Sequence, residues 1–159
     1  QPVDALFLDA GALAAAPADA AELPPALSTL QHGIQLLDAR VNPAGDRVNV
    51  ELSWAATQPI PGDYTLFLHL LDSTGAMLAQ DDGPPRAGYW PTSAWRPGEI
   101  VTSTHTLTLP TDLPAGVYRL GTGMYDPATG QRLFAYHPDG SEWRDWMALL
   151  PPVTIEPAP

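Results

Sequence analysis

A chain of 159 residues, 45% of them hydrophobic, is long enough to bury one core and too short to divide comfortably into two domains. Its 18 acidic side chains against seven basic ones give a formal charge of −11, which repels phosphate backbones and anionic lipid and argues against nucleic acid as a partner. With no Cys there is no disulfide framework and no thiolate nucleophile or metal ligand, while 19 Pro and 13 Gly favour short strands over long helices.

Residues 1–33 are rich in Ala, Pro and Asp and read as a linker or docking segment. Within them Val3–Leu8 is apolar enough to pair as an edge strand, and Gly11–Leu27 fits a short helix, an irregular wrap or a stalk. Gln1 in place of an initiator Met reads as the start of a processed or partial chain, and no apolar run approaches the roughly 18–20 residues of a membrane span.

A β domain is expected over residues 34–156. Ile34–Val41 forms the first strand and Asn42–Asp46 a turn. Arg47–Ala55 alternates strictly, with Val48, Val50, Leu52 and Trp54 on the face that should be buried. Tyr64–Leu71 is apolar on both faces and predicts a central strand, turning at Asp72–Gly75 into a partner over Ala76–Gln80. A Gly/Pro-rich loop follows, then the Thr-rich strand Ile100–Leu109. The strand opened by Leu113 runs to Tyr125, with Tyr118, Leu120, Thr122 and Met124 on one face. Gly121 and Gly123 on the other face leave room for a close approach. Gln131–Tyr136 and Ala148–Glu156 complete a set of about eight strands, the last confined by Pro151 and Pro152 to an edge or a bulge. The fold class that follows is all-β, an antiparallel sandwich of immunoglobulin-like or jelly-roll type with its strand order open.

Catalytic chemistry finds little footing. Four His and several Ser occur without a Gly-x-Ser-x-Gly elbow, and 18 acids supply carboxylate pairs by chance alone. No His-x-His or His-Glu-x-x-His spacing prepares a zinc site, so His69 reads as a hydrogen-bonded core histidine. Asp81, Asp82 and Asp126 are turn carboxylates without a regular calcium loop, and no metal or cofactor is expected. Aromatic residues are the better lead. Tyr89, Trp90 and Trp95 fall in one loop with Arg86 and follow Asp81 and Asp82, a set able to stack on a sugar ring and bond its hydroxyls. Trp143 and Trp146 form a second cluster beside Glu142, Arg144 and Asp145.

The string Asp63-Tyr-Thr-Leu-Phe-Leu-His-Leu-Leu-Asp72, with Gly83-Pro-Pro, Pro91-Thr-Ser-Ala-Trp-Arg-Pro-Gly-Glu99, Leu113-Pro-Ala-Gly-Val-Tyr118 and Met124-Tyr-Asp-Pro-Ala-Thr-Gly130, resembles a bacterial extracytoplasmic β-sandwich module. Such modules stand at the C-terminal ends of membrane glycosyltransferase-like proteins similar to the dolichyl-phosphate-mannose or arabinose transferases. The resemblance covers roughly residues 34–156 and departs from those parents in carrying no membrane helices. It implies a non-enzymatic accessory domain outside the membrane, whose partners are a glycan or a cell-envelope protein and whose membrane link is a missing anchor or parent. Leu113–Tyr118 also resembles the tyrosine corner of immunoglobulin-like folds, which implies a hydrogen bond from the Tyr118 hydroxyl to nearby backbone. The alternatives are a purely structural spacer or assembly domain and, with least support, a hydrolase.

Overall fold

The computed structural model describes residues 23–156, and the expectations for Val3–Leu8 and most of Gly11–Leu27 lie outside them. Ten strands are present among the described residues: β1 Ser28–Leu30, β2 Ile34–Ala44, β3 Arg47–Ala56, β4 Thr65–Leu71, β5 Met77–Gln80, β6 Ile100–Thr108, β7 Gly116–Tyr125, β8 Ala135–Tyr136, β9 Ala148–Leu149 and β10 Val153–Ile155. They form two antiparallel sheets. One has the order β9-β7-β4-β5 with β10 also on β7; the other has the order β6-β3-β2-β1-β8. The chain is an all-β sandwich, with ten strands where the sequence suggested about eight.

The difference in count has local causes. Ser28–Leu30, inside the stretch read as linker, pairs with both β2 and β8, and three residues are too few to show an alternation. Pro151 and Pro152 split the expected Ala148–Glu156 strand into β9 and β10, because neither can donate to the ladder. Both pieces still pair with β7, and Leu150 N donates to Leu120 O at 2.8 Å between them. Of Gln131–Tyr136 only Ala135–Tyr136 is strand, and Arg132 makes a single bridge to Tyr125.

The alternating faces meet as their periods require. Val48, Val50, Leu52 and Trp54 of β3 pack in one buried cluster with Leu66, Leu68 and Leu70 of β4 and with Leu120 and Met124 of β7. At about 25 cal/mol per Å² of apolar area removed from water, this inner layer is the main source of stability. β4 is central, flanked by β5 and β7, and its other face is covered as well: Phe67 and Leu71 are buried there. The Tyr118 hydroxyl donates to the carbonyl of Pro114, tying the entry of β7 to the preceding turn as a tyrosine corner does.

Candidate functional site

Beyond β5 the backbone keeps its pairing with β4: Asp81 N donates to Leu68 O at 2.9 Å, and Leu66 and Gly83 exchange two bonds of 2.9 Å. Successive side chains on an extended backbone point to opposite faces, so the neighbouring carboxylates separate. Asp81 points inward, where its Oδ2 lies 3.2 Å from His105 Nδ1, and Asp82 points outward, 3.7 Å from His69 Nε2. The expected joint contribution of Asp81 and Asp82 to one sugar site is therefore corrected by the period of the strand.

The loop that follows is pinned at several points. Its buried Thr92 donates to Gly62 O at 2.6 Å and accepts from Tyr64 N at 3.0 Å, and Ser93 N donates to Asp63 Oδ1 at 2.9 Å. Trp95 is only 3% exposed and packs in the main core, its indole N–H donating to Trp90 O at 2.8 Å. Trp95 is thus an anchor and not part of an aromatic platform; a large apolar ring gains more by filling the end of the core than by facing water. Trp90 is 36% exposed, with its Nε1 donating to Glu99 Oε1 at 3.2 Å. Tyr89 is 85% exposed at the end of the Pro85–Gly88 turn, in which Arg86 is exposed at φ 51°. Of the six expected ligand contacts, Arg86, Tyr89 and Trp90 are the ones exposed on this one loop.

At the edge where β5 and β6 face each other the structure makes a contact that residue counts could not reveal. Ser103 Oγ lies 2.8 Å from His105 Nε2, and the opposite ring nitrogen meets Asp81. The order Ser–His–Asp is that of a nucleophile, its base and the carboxylate that orients the base. However, Ser103 and His105 are two residues apart on a regular strand, without the strained turn that presents a nucleophile, and Ser103 is 2% exposed. Burial holds the His105 imidazole below its ordinary pKa of 6.5, against the opposing hydrogen bond and charge of Asp81. Physically the trio clasps one sheet to the other.

The outer face of the β9-β7-β4-β5 sheet supplies a concave surface. Gly121 and Gly123 do admit a close approach, and the chain itself makes it: the Met147 side chain lies against Gly121, and the Phe67 ring and Trp146 carbonyl lie against Gly123. Arg132 places its guanidinium 4.4 Å from the Phe67 ring centre and donates from Nη1 to Asp145 O at 2.9 Å. Asp145 and Trp146 are both left-handed, at φ 57° and 50°, a strained pair held by Trp146 Nε1 donating to Glu142 Oε1 at 2.8 Å and by Trp143 Nε1 donating to Ser28 Oγ at 3.1 Å. His69 sits on this face, its pKa lowered by burial, raised by Asp82 and lowered again by Arg132. Among the described residues no three His, Cys, Asp or Glu side chains gather into a metal-holding group, and Asp126 instead caps its own turn through Ala128 N at 2.9 Å.

No family model matches the chain, and no curated protein matches it. Solved structures similar to it include a β-glucuronidase from glycoside hydrolase family 2, at 12% identity and a TM-score of 0.45 over 66% of this chain and 10% of that one. A glycosyl hydrolase family 2 member from Bacteroides cellulosilyticus DSM 14838 follows at 12% identity and a TM-score of 0.42, over 69% of this chain and 15% of that one. The C-terminal domain of wzt matches at 14% identity and a TM-score of 0.44, over 83% of both chains. The chain thus spans a small fraction of the length of the two hydrolases.

Proposed function

We propose that the chain is a non-catalytic accessory domain of a larger cell-envelope protein outside the cytoplasmic membrane, and that it holds glycan on the aromatic surface formed by Tyr89 and Trp90. The observation that carries this reading is the 85% exposure of Tyr89 on a loop fixed from beneath by Trp95 and Thr92. A ring kept in water at a pinned position binds a sugar face without first having to be ordered. Each such ring contributes about 0.5–1.5 kcal/mol beyond buried area, so binding is modest and selective for glycan with accessible pyranose faces. Arg86, exposed on the same loop, supplies a donor for sugar hydroxyls. The resemblance of Asp63–Gly130 to modules of membrane glycosyltransferase-like proteins supports the location and the kind of parent.

A screen of the chain on a glycan array, with Tyr89→Ala and Trp90→Ala alongside, tests this. Retention by the native chain that falls at least fivefold in folded Tyr89→Ala is the expected result. If no glycan is retained, or if retention survives both substitutions, the platform is not the site. Early melting of both variants would make the loop a structural element.

The least supported reading, a hydrolase, rests on one contact, against which stand the burial of Ser103 and its place on a regular strand. The Ser103–His105–Asp81 trio has the bond order of a nucleophile with its base. Labelling by a fluorophosphonate that vanishes in Ser103→Ala would establish it, and an unlabelled native chain would dismiss it.

A further inference from the structure

Two adjoining grooves of about 440 and 360 Å³ lie on the outer face of the β9-β7-β4-β5 sheet and share Leu71, Gly75, Asp145 and Met147. Each is of the size that takes a small ligand. The floor is apolar, made by Phe67, Leu71 and Met147, and the rim carries Arg132 on one groove and Arg119 and Arg144 on the other. Three of the chain's seven cationic side chains thus converge on one face of a protein whose formal charge is −11.

The state of these charges matters more than their number. Arg40 and Arg47 are matched by neighbouring Asp38 and Asp46, whereas Arg119, Arg132 and Arg144 have no carboxylate oxygen within 4.0 Å among the described residues. The groove's own acids are partly committed. Asp72 Oδ1 accepts from Thr74 N at 2.8 Å, Thr74 Oγ1 at 2.6 Å and Ala76 N at 3.0 Å, and Asp82 faces His69. Arg132 is already in place, since the Phe67 ring and the Asp145 carbonyl hold its plane while its other N–H groups remain available. A planar fork held this way matches a carboxylate or phosphate in bidentate fashion and loses little entropy on binding. An apolar floor beneath such donors suits the C–H face of a sugar better than a free ion, and Gln80, Tyr125 and Asp145 line the same space with groups that bond hydroxyls.

We propose that this groove is a second binding site, specific for an anionic saccharide, whose carboxylate or phosphate is gripped by Arg132 while Arg119 and Arg144 hold the neighbouring part of the glycan. It shares no residue with the Tyr89 and Trp90 surface and stands independently of it.

The test is a calorimetric and NMR titration of the whole chain with uronate-, sialate- and phosphate-bearing oligosaccharides. Each is paired with its methyl-esterified or dephosphorylated form, and acetate and inorganic phosphate are run as free anions. At least one acidic glycan should bind tenfold or more tightly than its neutral partner, with a strong dependence on salt. Arg132→Gln should lower that affinity at least tenfold. The exposed Arg119→Gln and Arg144→Gln, which disturb no core contact, should each lower it about threefold, while Tyr89→Ala leaves it unchanged. Equal binding of acidic and neutral forms, binding of no acidic glycan, or native affinity in all three Arg variants overturns the proposal. So does inorganic phosphate or acetate binding as tightly as the glycan, which would make the groove a simple anion site. Loss in Tyr89→Ala alone would locate all glycan binding on the loop.

Discussion

The loop from Pro84 to Glu99 and the segment from Arg132 to Met147 share two Trp, two Arg, one Tyr and one Glu each and end up as different surfaces. Each has two tryptophans, and in each one indole donates to a glutamate: Trp90 to Glu99, and Trp146 to Glu142. The first lies across the end of the sandwich, where Trp95 drops into the core and Tyr89 is left in water. The second folds back over the outer face of a sheet, where two glycines make space for Phe67, Met147 and the Trp146 carbonyl, and arginine becomes the exposed chemistry. Which part of the sandwich a loop covers decides which of its shared Trp, Tyr and Arg side chains face solvent.

The sharpest way to break the comparison is at the two tryptophans of the first loop. Trp95→Ala should lower unfolding free energy by about 3–5 kcal/mol, as large-to-small changes in a core do, and Trp90→Ala by about 1 kcal/mol or less. Urea unfolding of both variants measures the gap, and equal losses would mean that the loop has no anchor. On the second segment the glycines provide the matching test. A methyl at Gly123 would stand 2.8 Å from the Phe67 ring and 3.2 Å from the Trp146 carbonyl, so Gly123→Ala should cost about 1–3 kcal/mol. Gly121→Ala should cost less, because the obstruction there is the flexible Met147 side chain. A reversed order would show that Met147 is the fixed element.

Acid should act on the contacts at each side of the Asp81–Asp82 step before it acts on the carboxylates. His69 and His105 are held below 6.5, mainly by burial, so the unfolded chain takes up their protons more readily. Stability is therefore full above pH 6.5 and falls as pH drops from there toward the lowered folded values. Asp63, Asp72 and Asp139, each held below 3.8 by a hydrogen bond from Ser93, Thr74 or Ser141, lose their contribution only as pH falls below that value. Urea midpoints measured from pH 8 to 5 should decline, and His105→Gln should flatten the decline; an unchanged slope would show that His105 does not titrate in this range. Smallest of all, Tyr89→Ala should leave the unfolding free energy measured in urea within about 0.5 kcal/mol of the native chain, since its ring is 85% exposed.

Much of the sandwich was legible because its signals are local. The alternation of Val48, Val50, Leu52 and Trp54 reported one buried face, and the doubly apolar run Tyr64–Leu71 reported a strand with neighbours on both sides, as β4 has. β1 escaped because its three residues are too few to show an alternation and one of its two partners, residues 135–136, lies more than 100 positions away. The candidate site was half legible. Tyr89 and Trp90 could be found by composition, but exposure separates them from Trp95, and exposure is a property of the packed loop.

The residues by themselves determined the all-β class, the inward faces and the turns, because strand period, β-branching and Gly/Pro chemistry act over a few bonds. Only the tertiary structure decided the strand order, the clasp of His105 with Asp81 across the two sheets, and the gathering of Arg119, Arg132 and Arg144 on one face. Those outcomes depend on which sheet surface each loop has room to cover. That is settled by close packing between residues far apart in the chain, which no local pattern encodes.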